Sequence, residues 1–339
     1  MNSFKKLKKR EVKFNFIIIV VFIGVIILAL FKGRANIKAE DLVIFFKEYK
    51  SIDKSNSTIV LALRIPRIIA ASLVGASLSV SGASYQGAFN NPLVAPDMLG
   101  VSAGACVGAA LSIILNLDPM YMQIFAFLGG LLAVTISGLI PKVIGNNSLS
   151  TLVLAGIIVS GLFNSFLGLI KYLADPETQL ASITYWQLGS LQRVSDRDLV
   201  LMVGPMLICL LTAYLLRWRL NIISLGEEEA KNLGLNIKTT RYLIIFLATM
   251  LTACSVCLTG TIAWIGLVVP HFARMLVGSD NRKVIPICIF LGASVLVLID
   301  TLARTISAGE LPISIFTGII GAPSYFILLY RQLGRKNDG

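Results

Sequence analysis

Few residues of this chain could do covalent chemistry, and their placement argues against it. His271 is the sole histidine among 339 residues. It stands beside Pro270 near the end of an apolar stretch, whereas a Ser-His-Asp triad would need it deep in a site. A structural hydrogen bond is the plainer role. Cys254-x-x-Cys257 has redox spacing but lies inside an apolar run with no second pair, so packing is the better reading. The histidine and cysteines are too scattered for a metal cluster. No G-x-x-x-x-G-K-[ST] occurs, so the chain has no loop of its own to cradle ATP phosphates. No catalytic residue, metal or bound cofactor is expected.

The charged residues are more informative. Asp300 and Arg304 form an i,i+4 pair with the acid N-terminal, the favourable order. An ionisable pair within a membrane span is also a functional candidate by default. Arg64 and Arg67 flank Pro66 and, three residues apart, project from one helical face. Snorkelling accounts for them as simple anchors; docking of an acidic external partner is the functional alternative. In Ser224–Arg241 (SLGEEEAKNLGLNIKTTR) three carboxylates, Glu227, Glu228 and Glu229, fill the first turn of a short helix, where the helix dipole favours them. Ala230 and Leu233 give that helix an apolar face, and Gly234 falls at a left-handed C-cap position. A solvated charge run is the bland reading; a handle for another protein is the sharper one. Gly100, Gly104 and Gly108 recur every four residues, a stripe that lets helices approach closely in lipid.

The elements that must carry these groups are membrane spans. Hydrophobic residues make up 56% of the chain and charged residues 14%, well below the roughly 25% charge of a soluble domain. Mean hydropathy is +0.81. Several apolar runs reach the roughly 20 residues that cross a bilayer as helices, and barrel-type alternation is absent. The net charge of +12 then reflects membrane topology rather than nucleic-acid binding. The segmentation predicts an all-α integral membrane protein with about ten transmembrane helices: a cytosolic basic N-terminus at 1–13, a single ten-span transmembrane domain at 14–331 with the polar segment 224–241 on the cytosolic side, and a cytosolic tail at 332–339. An amphipathic piece is expected at Leu42–Tyr49, and 171–197 reads as an external polar segment.

Five stretches, in order, carry a resemblance: LRIPR, SGASYQGAFNNPLVAPDMLGVSAGA, LGEEEAKNLG, GTIAWIGLVVPHFARMLVGSDNRKVIP and GELPISIFTGIIGAPSYFILL. Together, from about residue 60 to 331, they resemble the FecCD-type permease subunits of iron–siderophore, haem and cobalamin ABC importers. The resemblance implies a cobalamin-importer-permease-like fold in a bacterial or archaeal cytoplasmic membrane. The implied assembly is a homodimer, or a heterodimer of paralogous permeases, embedded in lipid, with two ABC ATPase subunits that hold ATP and Mg. An extracytoplasmic binding lipoprotein or periplasmic protein completes it. Leu225, Gly226, Glu227, Glu228, Glu229, Ala230, Asn232, Leu233 and Gly234 match the family's ATPase-coupling helix. Arg64, Arg67 and Arg304 match its docking arginines, and Asn147, Ser148, Leu149 and Ser150 fall where its cytosolic gate lies. Asp280-Asn281-Arg282 departs from the Asp-His-Arg frequent in the family.

The expected function is translocation of an iron chelate, a ferric siderophore first and haem or cobalamin next, by alternating access. An oxyanion such as molybdate is the alternative cargo. A gradient-driven secondary transporter is the alternative class; it would need intramembrane acids, for which Asp300 and Asp97 are the candidates.

Overall fold

The computed structural model describes residues 2–33, 38, 40, 56–146, 148–192, 194–225, 232–234, 236–306 and 309–337. Eleven helices lie among them: α1 (Asn2–Phe31), α2 (Asn56–Ala88), α3 (Val101–Ile114), α4 (Pro119–Ile144), α5 (Leu149–Leu173), α6 (Gln179–Gln187), α7 (Asp196–Ile223), α8 (Ile237–Thr259), α9 (Ile265–Val277), α10 (Asn281–Ile306) and α11 (Ile313–Asn337). Six of them, α2, α4, α5, α7, α8 and α10, are long and apolar enough to cross a membrane; α1, α3, α9 and α11 contain shorter apolar stretches.

Helix α2 occupies the centre, packed against α1, α7, α8, α9 and α10. Its small-residue sequence explains the position. A Cβ on Gly75 would stand 2.2 Å from the Gly292 carbonyl oxygen of α10, and one on Gly82 only 1.7 Å from that of Gly266 in α9. Such backbone-to-backbone approach lets helices associate in lipid, where no hydrophobic driving force separates helix from solvent. Hydroxyls then tie the contacts: Ser79 Oγ donates to the Cys288 carbonyl at 2.6 Å, Ser81 Oγ donates to that of Ala248 at 2.7 Å, and Tyr85 Oη meets Thr249 Oγ1 at 2.6 Å. Around this core, α4, α5 and α7 turn large apolar side chains outward, among them Leu128, Leu132, Ile157, Ile158, Leu207 and Ile208.

The helix boundaries depart from the sequence reading in places. Helix α1 starts at Asn2, because Lys, Arg and Glu propagate a helix readily and nothing breaks it before the apolar run. Helix α2 starts at Asn56, so Arg64, Pro66 and Arg67 lie within it. The segment 171–197 contains α6. The amphipathic piece at Leu42–Tyr49 lies outside the described residues.

Candidate functional site

Three junctions between helices meet inside the bundle, and a cavity opens beside two of them. The chain at Leu188–Leu191, Gly260–Trp264 and Leu311–Pro312 leaves helical geometry, which in a bilayer is tolerated only where the backbone finds protein partners. Here the stretches satisfy one another. Ser190 N donates to the Thr259 carbonyl at 2.8 Å, Ile313 N to that of Gly189 at 3.0 Å and Ser314 N to that of Leu188 at 3.3 Å. Thr261 Oγ1 donates to the Gln187 carbonyl at 2.6 Å. Gly260 is required at the crossing: its φ is +74°, and a Cβ there would stand 2.2 Å from the Trp186 carbonyl oxygen. Trp264 adopts φ +71°, a left-handed conformation that costs a bulky residue about 1–3 kcal/mol.

The resulting cavity has a volume of about 460 Å³, within the usual range for small-molecule sites. Leu78 of α2, Ala95–Asp97, Ser102 and Cys106 of α3, Ser160 and Asn164 of α5, Thr252 and Val256 of α8, and Thr261–Trp264 line it. Its polar groups are mostly neutral hydroxyls and amides. Among the described residues Asp97 is its one carboxylate, and no lysine, arginine or histidine lines it.

Toward one end of the bundle lies a buried ion cluster. The Arg67 guanidinium straddles Asp300, donating from Nε to Oδ1 at 2.8 Å and from Nη2 to the same oxygen at 2.7 Å. Its Nη1 reaches Glu310 Oε2 at 2.8 Å. Arg304 Nε stands 3.7 Å from Asp300 Oδ2, so the shorter ion pair runs between helices rather than along α10. Arg304 Nη2 donates to the Ala29 carbonyl, and Arg64 Nη1 donates to that of Leu30 at 2.8 Å. All three arginines therefore turn into the protein; Arg64 and Arg304 are 7% and 6% exposed. Glu310 is a member of the cluster that sequence reasoning missed, although it opens the GELPIS motif.

Toward the opposite end, a polar clamp joins α7 to α10. Asn221 Nδ2 donates to Asp280 Oδ1 at 2.6 Å, and Asn281 N donates to Asn221 Oδ1 at 2.8 Å. The Arg282 guanidinium grips the same carboxylate, with Nη2 2.8 Å from Oδ2. These hydrogen bonds from Arg282 hold the Asp280 carboxyl down to about 2, below its ordinary 3.8. Asn221 carries no signal that sequence reading could have used.

The stretch expected to couple to an ATPase follows α7 in the chain. Gly226, Glu227, Glu228, Glu229 and Ala230 lie outside the described residues. Leu225 and Leu233, on either side, are exposed, Asn232 is exposed too, and Gly234 is left-handed with φ +75°. Of the gate stretch, Asn147 lies outside the described residues. Ser148 caps α5 by accepting from Thr151 N at 3.2 Å, and Leu149 and Ser150 begin that helix. Gly100 takes φ +83° just before α3, while a Cβ on Gly104 or Gly108 would stand 2.2 or 2.0 Å from the carbonyl oxygens of Gly129 and Phe125 in α4. His271 meets Tyr325 edge-on, ring centroids 6.5 Å apart, and Cys254 and Cys257 are free and buried.

A helical bundle folded around an irregular, polar crossing defines the class: a multi-pass transport permease. The FecCD transport family model matches residues 19–332, and the chain belongs to that family. It is 38% identical over 288 residues to the molybdate import system permease protein MolB of Haemophilus influenzae, covering 85% of this chain and 86% of the relative. It is 39% identical to a probable iron chelatin transport system permease protein of Helicobacter pylori, covering 83% and 85%. A solved structure titled as an inward-facing conformation of a putative metal-chelate type ABC transporter superposes with a TM-score of 0.86 at 35% identity, over 94% of this chain and 99% of that one. The chain is thus an ABC importer permease of the group that carries metal chelates, haem, cobalamin or molybdate.

Proposed function

We propose that this permease imports an iron chelate, a ferric siderophore first among them, across the cytoplasmic membrane with energy from two separate ATPase subunits. The cavity carries the reading. Its lining offers hydroxyl and amide groups, one carboxylate and no cationic side chain. A neutral or cation-bearing chelate finds donors and acceptors there, whereas an oxyanion meets the Asp97 carboxylate without a compensating positive charge.

Six long apolar helices and four shorter ones support ten crossings, with both termini cytosolic. Two copies form the pathway, each contributing its cavity. Leu225–Gly234 engages the ATPase, and the stretch Asn147–Ser150 closes the cytosolic exit. Arg64, Arg67 and Arg304 receive acidic groups of an extracytoplasmic binding protein. For that, Arg67 exchanges its bonds to Asp300 and Glu310 for bonds to the partner.

The test is reconstitution of the permease with its ATPase and binding protein in vesicles, supplied with radiolabelled ferric siderophore or molybdate. Iron-chelate uptake that follows ATP and survives an uncoupler is the expected result. Uptake of molybdate alone would overturn the cargo. Uptake that ignores ATP and collapses with the ion gradient would overturn the class of mechanism. A Glu227/Glu228/Glu229→Lys variant is expected to lose the co-purifying ATPase while keeping its fold.

A further inference from the structure

A second, smaller cavity has a different character. It lies between the end of α4, the start of α5 and the start of α8, and its volume is about 140 Å³, the space of roughly four or five water molecules. Lys238 and Arg241 line it, with the Ser148 cap of α5 and the aromatic ring of Tyr242; Leu149 and Leu152 form its apolar wall. Among the described residues no acidic side chain lines it. Arg241 Nε is shut off from water and, among the described residues, meets no acceptor. A buried guanidinium nitrogen without a partner is costly, so its neighbourhood favours an occupant that accepts hydrogen bonds and carries negative charge.

We infer that this cavity is an anion site for a phosphate group, taken from a lipid headgroup at the membrane surface or from free phosphate. Three features converge on that chemistry. Two cations at i and i+3 on α8 face one cavity. The cap of α5 presents the positive end of a helix to the same space. Apolar walls and an exposed tyrosine suit the boundary between headgroup and acyl chain, where basic pockets between spans hold anionic lipids. The site shares no lining residue with the polar cavity; Ser148 and Leu149 belong to the stretch proposed above to close the cytosolic exit.

The experiment is native mass spectrometry of the full chain in detergent, titrated with phosphatidylglycerol, with phosphatidylcholine or with inorganic phosphate. Wild type is expected to retain phosphatidylglycerol in preference to phosphatidylcholine, and K238Q/R241Q to bind it roughly 25-fold more weakly, at about fivefold per lost cation. K238R/R241K, which keeps both charges, is expected to stay near wild type. Competition by inorganic phosphate identifies the free anion as the occupant; no competition identifies the lipid. Equal retention by K238Q/R241Q and wild type overturns the site, as does phosphatidylcholine binding as tightly as phosphatidylglycerol. Lys238 is exposed, so if the double variant fails to fold, K238Q alone gives the reading, with an expected loss of about fivefold and an unchanged affinity overturning the proposal.

Discussion

Helices α5 and α8 are nearly indistinguishable by apolarity. Their most apolar windows share a mean hydropathy of 2.1, yet 28% of that window is buried in α5 and 78% in α8. The difference lies in where the small polar residues fall. In α8, Thr249, Thr252, Ser255 and Thr259 are all buried, and each hydroxyl is hydrogen-bonded. In α5 the polar Ser160 and Asn164 turn to the cavity while Leu154, Ile157, Ile158 and Leu162 are exposed. Hydropathy finds a span; hydroxyls and glycines decide whether it meets lipid or protein.

The largest effect expected from challenging that contrast is at Asp300. Asp300→Asn removes the acid that Arg304 faces and leaves Arg67 with Glu310 alone, and is expected to destabilise by about 3–5 kcal/mol, read as a loss of unfolding free energy in detergent. Gly82→Ala should follow. It forces a Cβ against the Gly266 carbonyl and is expected to cost about 1–3 kcal/mol, whereas Gly161→Ala on α5, with nothing within 4 Å, should be neutral or slightly stabilising. Equal melting temperatures for these two variants would erase the distinction between inner and outer helices. Tyr85→Phe removes one buried hydrogen bond to α8, with an expected loss of about 1 kcal/mol in the same assay.

The smallest effect concerns pH. Because the Asp280 carboxyl is depressed in the folded protein, its contribution is fully present above its ordinary value of 3.8 and fades as pH falls through about 2. An acid titration of melting temperature should therefore show, in Asp280→Asn, a shallower decline between about pH 4 and pH 2 than in wild type.

Much of this was legible in the sequence. Composition and run lengths were enough for a helical membrane protein, and five ordered motifs for the transport family, because lipid imposes long apolar helices on any chain that crosses it. The site was legible only in part. Arg64, Arg67, Asp300 and Arg304 stood out as charges within or beside apolar runs. That Asp300 takes Arg67 as its closer partner depends on the crossing of α2 and α10, separated by more than 200 residues in the chain. Spacing along one helix points to Arg304 instead. The crossing near Gly189 and Gly260 was invisible for the same reason: backbone groups that satisfy each other across distant stretches leave no periodicity. Lys238 and Arg241 lie far along the chain from the α4 and α5 residues that enclose them, so their spacing alone announced no cavity.

Helix α10 is fastened at both ends by polar chemistry, to Asn221 of α7 at its start and to Arg67 of α2 near its finish. Its 26 residues make a rod about 39 Å long. A helix of that length is stiff along its axis, and fixing both ends removes the slack that would let either end move alone. A push delivered where α7 runs into the Leu225–Gly234 stretch has two outcomes available: it snaps the Asn221 joint, or it travels the length of the rod and tugs on the arginine cluster. On the proposed function, in which that stretch engages the ATPase, work done at one end of α10 would thereby be felt at its other end, about 39 Å away.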